Sequence, residues 1–182
     1  MPPVQKPDPE EQTRETLHRM VNASLASIHF RPDGTIIWAN ENFLQTMGYA
    51  LPEVEGKHHR MFVDDAYAQS PDYKQFWHRL AGGETFSDRF RRVNRDGKDV
   101  WIQATYSAVR DDQGVVERVI KIASDDTTRQ TALSHIQHAL AMLEHGDLTQ
   151  RIATAAFPDD VAELAGHLNR AVGQITDLIG NV

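Results

Sequence analysis

Three histidines, His58, His59 and His78, stand close in sequence to one tryptophan, Trp77, in the middle of the chain. A neutral imidazole can bind a metal through a ring nitrogen, and an indole can stack on or wall in a flat ligand, so this stretch could hold a bound group. Taken one at a time, each residue also has a plainer role: Trp77 as core filler, each histidine as a surface or capping residue. A second pair, His135 and His138, falls at i and i+3 of a helical pattern, but nothing nearby completes a tetrahedral metal set. The segment Ser134-His135-Ile136-Gln137 lacks the acidic residue and downstream proline expected around a phosphoacceptor histidine. No Walker-type glycine loop, Gly-x-Ser-x-Gly elbow or His-Glu-x-x-His zinc motif is present. With no cysteine there is no disulfide framework, thiolate site, cysteine nucleophile or cysteinyl photoadduct. An enzyme has no residues to stand on here.

The bulk composition narrows the partners. At 182 residues and 40% hydrophobic content, the chain suffices for one globular domain with an appendage. A formal charge of −7 argues against nucleic acid, which needs a concentrated basic face. Arg89, Arg91, Arg92 and Arg95 form a local basic cluster, which strand spacing would leave mostly on a solvated face. No apolar run approaches the roughly 18 residues of a membrane span, and the acidic, proline-rich start is not a signal peptide. No direct membrane span and a cytoplasmic location are expected.

The elements that must position these residues can be read in order. Four prolines in the first ten residues predict a disordered leader over residues 1–12. Leu17, Met20 and Val21 then recur at helical spacing, predicting an N-terminal cap helix over 13–23. Two short strands follow, Ser27 to Phe30 and Thr35 to Trp38, joined at Asp33-Gly34. From Asn42 to about Leu80 the pattern is helical and broken by Pro52, Gly56 and Pro71. Three alternating segments come next, Phe86 to Val93, Val100 to Ala108 and Val115 to Ala123, with turns at Asp96-Gly97 and Gln113-Gly114. This order predicts an α+β fold: a five-stranded antiparallel sheet with helices on one face and a pocket between them.

Beyond Asp126 the period is helical. Leu133, Ile136, Leu140 and Leu143 predict one helix ending at Gly146, and a second starts after Pro158 with Asp160 and Glu163 spaced as a capping box. Val161, Leu168, Ile175 and Val182 lie seven apart, with Leu164, Ala171 and Leu178 between them, which predicts a coiled-coil seam in a homodimer.

Residues 24–128 resemble a PAS domain. The likeness is carried by Asp33-Gly34, Trp38-Ala39-Asn40 with Phe43, Gly48-Tyr49, Leu51-Pro52-Glu53 with Gly56, Arg92 through Asp96-Gly97, and Trp101. The triplet Asp125-Asp126-Thr127 stands where the family has Asp-Ile-Thr, so Asp125 and Thr127 are implied relay residues beside an altered middle position. Gly56-Lys57-His58-His59-Arg60-Met61-Phe62, Asp72-Tyr73-Lys74-Gln75-Phe76-Trp77 and Val100-Trp101-Ile102-Gln103-Ala104 resemble the cytoplasmic PAS modules of methyl-accepting chemotaxis proteins. Gly146-Asp147-Leu148-Thr149, with Asp160 and Asn169, resembles a HAMP relay, so 129–182 reads as a HAMP-like helical segment.

What the resemblance implies is the sensory input module of a bacterial chemotaxis-type receptor, sensing redox or oxygen through a non-covalently bound FAD. Trp77 precedes Leu80-Ala81-Gly82-Gly83-Glu84 as in flavin-binding aerotaxis and nitrogen-fixation regulators, and Asn40 and His59 fall at polar flavin contacts. Arg92 stands where the aerotaxis pattern has asparagine, which alters one contact. The alternatives are haem b with His59 or His78 as axial ligand, and a cofactor-free module for dimerisation or small-molecule binding. The implied partners are a second copy, through the helical segments, and a downstream chemotaxis signalling domain or kinase complex.

Overall fold

The computed structural model describes residues 8–180. Five strands form one antiparallel sheet: β1 (Ala26–Phe30), β2 (Ile36–Ala39), β3 (Phe86–Val93), β4 (Asp99–Arg110) and β5 (Val116–Asp125), in the order β2-β1-β5-β4-β3. β1 and β5 thus sit side by side although three strands and the helical layer lie between them in sequence. The hairpins turn at Gly34, Gly97 and Gly114, each with φ between 74° and 88°, a region that favours glycine.

Alternation along the strands sends one set of side chains inward. Ile28, Phe30, Ile102, Ala104, Tyr106, Val119 and Ala123 are all buried on the face that the helices cover. Those helices are α2 (Glu41–Met47), α3 (Leu51–Val54), a 3-10 turn (His59–Phe62), α4 (Asp65–Gln69) and α5 (Pro71–Ala81). α5 forms because Ser70 caps it through a hydrogen bond from Tyr73 N and Pro71 takes the first position. Its buried residues Tyr73, Phe76, Trp77 and Leu80 fall at i, i+3, i+4 and i+7, one apolar stripe. Full burial of a large apolar side chain contributes about 1.5–3 kcal/mol, so this stripe is a main anchor of the helical layer.

The first helix, α1 (Pro9–Ser24), begins four residues before the expected Thr13. Asp8 accepts from Glu10 N, Pro9 starts the helix, and Glu10 and Glu11 complement its N-terminal dipole, so the proline-rich stretch ends in a helix start. The expected leader otherwise falls on residues 1–7, outside the described residues. None of α1's residues is buried.

The chain divides into two compact units between Asp125 and Asp126. The second contains α6 (Thr127–Glu144) and α7 (Asp159–Gly180). Arg129 in the first turn of α6 pairs with Asp160 in the first turn of α7, so the two helices start at the same end and run parallel. Asp160 therefore serves an ion pair inside the helix and is not its cap. Asn169 pins the connecting segment: its Oδ1 accepts from Ile152 N at 3.0 Å and its Nδ2 donates to Ile152 O at 2.9 Å.

The buried stripe of α7 is Val161, Ala165 and Val172, and the first two pack with Ala132 and Ile136 of α6 and with Ile152. Of the expected seam, Val161 is buried and Leu168 half-buried within this unit, whereas Leu164, Ile175 and Leu178 are 51%, 39% and 71% exposed. The helix thus divides its apolar residues between an inner stripe and an outer one; Val182 lies outside the described residues. Among the described residues no helix is long and apolar enough to cross a membrane.

Candidate ligand-binding interior

The space between the sheet and the 3-10 turn and α5 is lined by rings. Phe30 of β1 packs edge-on against Trp77 at 5.2 Å and against His59 at 5.4 Å, and lies in offset stacking with Tyr106 at 6.5 Å. His59 and Trp77 meet at 5.3 Å, and Phe76 meets Tyr106 at 5.1 Å. Gly34 makes room for this packing: a Cβ there would lie 2.8 Å from His58 Nε2 and 2.9 Å from the Trp77 ring.

His59 sits at the centre, fully buried. Its Nδ1 lies 2.9 Å from the Tyr73 hydroxyl and its Nε2 lies 3.1 Å from the Tyr106 hydroxyl. Burial, reinforced by the nearby charges of Arg92 and Lys121, holds its pKa well below the usual 6.5, so the ring is neutral. The Tyr106 hydroxyl accepts from Arg92 Nη2 at 3.0 Å. Burial raises the pKa of both tyrosines, Tyr73 to about 12; the Trp77 N–H pulls Tyr73 the other way without completing a hydrogen bond.

Two basic side chains enter this interior. Arg92 on β3 is 3% exposed: Nη1 donates to Arg91 O, Nη2 to Tyr106, its guanidinium lies over the Phe90 ring, and its Nε has no partner. The expected solvated face therefore holds for exposed Arg91 and Arg95, which pair with Asp64, Asp99 and Glu53, but not for Arg92. Strand alternation explains the split, since Arg89 and Arg91 point out and Phe90 and Arg92 point in. Lys121 on β5 is 1% exposed, with Nζ 5.2 Å from the ring centres of Phe43 and Tyr106. Burial, and then the Arg92 charge, drives its pKa well below 10.5.

The residues singled out from sequence divide. Trp77, His59 and Arg92 come together in this interior. Asn40 does not reach it: its Oδ1 accepts from Ser27 N and Phe43 N, and its Nδ2 donates to Leu25 O and Asn22 Oδ1. It caps α2 and ties it to β1, which uses its full bonding capacity. His78 lies exposed on α5, away from the buried stripe, so it is no interior ligand. His135 and His138 are exposed, and no group of three candidate metal ligands occurs among the described residues. Asp125 ends β5 and Thr127 starts α6, with Asp126 between them accepting from Gln130 Nε2. Tyr73, Tyr106 and Lys121 were not singled out. For Lys121 the signal exists, since it takes an inward position between Val119 and Ala123 in the alternation of β5.

An antiparallel sheet of this strand order, with its helices on one face around an aromatic-lined interior, is the architecture of a small sensory module. It is the PAS fold, and residues 36–123 form a PAS domain by their match to that family. The chain is 45% identical over 131 residues to the biofilm dispersion protein BdlA of Pseudomonas aeruginosa; the match covers 68% of this chain and 31% of BdlA, so the chain spans about a third of that relative. A solved RNA-binding light-oxygen-voltage receptor shares 26% identity at a TM-score of 0.57, covering 71% of this chain and 37% of that one. A light-oxygen-voltage domain studied with a flavin analogue aligns at a TM-score of 0.51 and 22% identity, over 75% of this chain and 96% of its own, and shows the shared fold.

The interior can be tested against the flavin implied by resemblance. The donor chemistry suits it, because Trp77 Nε1 and Arg92 Nε are buried without partners and an isoalloxazine offers acceptors. The space does not: Phe30, His59, Trp77 and Tyr106 lie ring against ring, and a flat three-ring group enters only if they part. Haem meets the same obstacle, and both nitrogens of His59 are already engaged.

Proposed function

We propose that this chain is the sensory input module of a bacterial chemotaxis-type receptor, in which the state of the PAS interior is passed along β5 to α6. The observation that carries this reading is one of continuity. β5 brings buried Lys121 into the interior and ends at Asp125, and only Asp126 separates it from α6. A change at Lys121 therefore acts on the strand that leads into the helix. Similarity to a biofilm dispersion protein supports a role in bacterial signalling. The output is carried by a homodimer through the exposed Leu164, Ile175 and Leu178 stripe of α7, in a HAMP-like arrangement with a downstream signalling domain or kinase complex. The module itself is a sensor and not an enzyme.

Two classes of occupant divide the reading. FAD is supported by the Trp77 context, by the unpartnered donors and by a fold shared with light-oxygen-voltage domains. A smaller ligand is favoured by the closed ring cluster, which has no slot for a three-ring group as packed. The absorption spectrum of freshly purified protein separates them. A two-band yellow spectrum with FAD released on denaturation assigns redox sensing; a Soret band assigns haem; a colourless protein assigns a small-molecule sensor. If a flavin is bound, Trp77→Ala empties the pocket of it.

A further inference from the structure

We propose that the PAS interior binds a small organic carboxylate, its charge neutralised by Arg92 and Lys121. This rests on the sensory reading above and names the ligand class of the same interior. A guanidinium does not lose its proton in a protein, so Arg92 carries a full charge at 3% exposure. Its partners are two neutral oxygens, Arg91 O and the Tyr106 hydroxyl. Lys121 has two ring faces and no carboxylate, and the charge acting on it most is that of Arg92. The titratable groups around the pair are His59 on the 3-10 turn, Tyr106 on β4 and Tyr73 on α5, none of which supplies a negative charge.

Buried cations are ordinarily matched by an anion, because an unmatched one forfeits its hydration without return. Here the two meet at one residue, Arg92 at the Tyr106 hydroxyl and Lys121 over the Tyr106 ring. Two N–H donors in the same ring cluster, Arg92 Nε and Trp77 Nε1, also lack acceptors. One negatively charged group beside Tyr106 would match both basic side chains and give Arg92 Nε an acceptor. A carboxylate matches the planar fork of the guanidinium, and the walls of Phe30, Phe76 and Trp77 suit an apolar body attached to it. Binding parts the ring cluster by the size of a small molecule, far less than an isoalloxazine requires.

The test uses the full chain. Melting temperature and intrinsic tryptophan fluorescence are followed during titration with benzoate, pyruvate and succinate at constant ionic strength in chloride. Benzamide, a neutral analogue of benzoate, and inorganic phosphate serve as controls. At least one carboxylate produces a saturable rise in melting temperature, and benzamide produces none. In Lys121→Met the unliganded protein melts higher than wild type, while carboxylate affinity falls roughly tenfold or more, as loss of one charge-assisted contact requires. Lys121→Met replaces a buried basic group with an apolar side chain of similar length, so the variant keeps the fold and its affinity can be read.

The proposal is overturned if no carboxylate raises the melting temperature above chloride, or if Lys121→Met binds as tightly as wild type. An equal response to phosphate overturns the assignment to carboxylates. Failure here with α7-dependent dimers intact leaves the sensory reading standing, whereas carboxylate binding to a chain that is monomeric removes the relay reading and keeps the site.

Discussion

The Nε2 atom of His59 lies 3.1 Å from the hydroxyl of Tyr106, and that contact orders the protons of the whole interior. Tyr106 is fully buried and already accepts from Arg92 Nη2, so its single proton goes to His59 Nε2. His59 then carries its own proton on Nδ1 and donates it to Tyr73. The chain of donors runs Arg92, Tyr106, His59, Tyr73, from one edge strand of the sheet to α5. A neutral His59 is what allows this direction, and burial keeps it neutral.

Tyr106→Phe removes the middle of the chain without changing the ring packing. Arg92 Nη2 and His59 Nε2 lose their partner in a dry interior, so the variant is destabilised by about 1–3 kcal/mol in denaturant unfolding. A loss of less than half a kilocalorie would mean that these contacts contribute little.

Lys121 gives the unliganded protein a pH signature. Its folded pKa lies below the unfolded 10.5, so between those values the unfolded chain holds the extra proton and stability rises with pH. His59 acts with the same sign below 6.5, where stability falls as acid is added. Lys121→Met raises stability near neutral pH by about 1–3 kcal/mol. It also flattens the rise in stability with pH below the unfolded value of 10.5 and leaves the acid loss in place. Urea melts at several pH values check both effects, and an unchanged alkaline slope would mean that Lys121 is not the group responsible.

Asn40→Ala tests whether this residue is a structural tie. Four hydrogen bonds, to Ser27, Phe43, Leu25 and Asn22, are lost together. Destabilisation of about 2 kcal/mol or more is expected, from a lost helix cap and a buried donor left without an acceptor. Carboxylate affinity, measured below the melting transition, stays within about twofold of wild type. A large loss of affinity with unchanged stability would return Asn40 to the binding site.

The proposed homodimer has the outer stripe of α7 as its interface. Leu164→Ser with Ile175→Ser alters exposed positions and leaves Val161, Ala165 and Val172 packed, so light scattering reports monomers with unchanged helix content. Dimers that survive this change would move the interface to another surface.

Much of this was legible in the residues. Period-2 alternation with glycine turns located all five strands, since sheet faces and positive-φ turns are local requirements. The Trp77 and His59 pairing was visible as a cluster of chemistry on a short helical stretch. Asn40, expected at a polar flavin contact, spends its bonds on a cap and a tie; a cap and a ligand donor are the same side chain in sequence, and only the bonds to Ser27 and Leu25 distinguish them. The exposure of His78 is not legible in sequence, because its direction depends on which stripe of α5 is buried. The α7 seam was read as one stripe where the helix carries two, since a heptad count does not say which partner each residue meets. Lys121 stood in plain alternation on β5, and a lysine at a core-facing position is the kind of local conflict that marks a functional interior.

Amide hydrogen exchange across residues 127–144 of α6, compared between wild type and Lys121→Met, tests whether the interior speaks to the helix. Removing the buried charge stands in for its neutralisation by a ligand. The prediction is a change in protection in the first two turns of α6 together with β5. Changes confined to residues 26–125, with α6 exchanging as in wild type, would contradict a relay from the PAS interior.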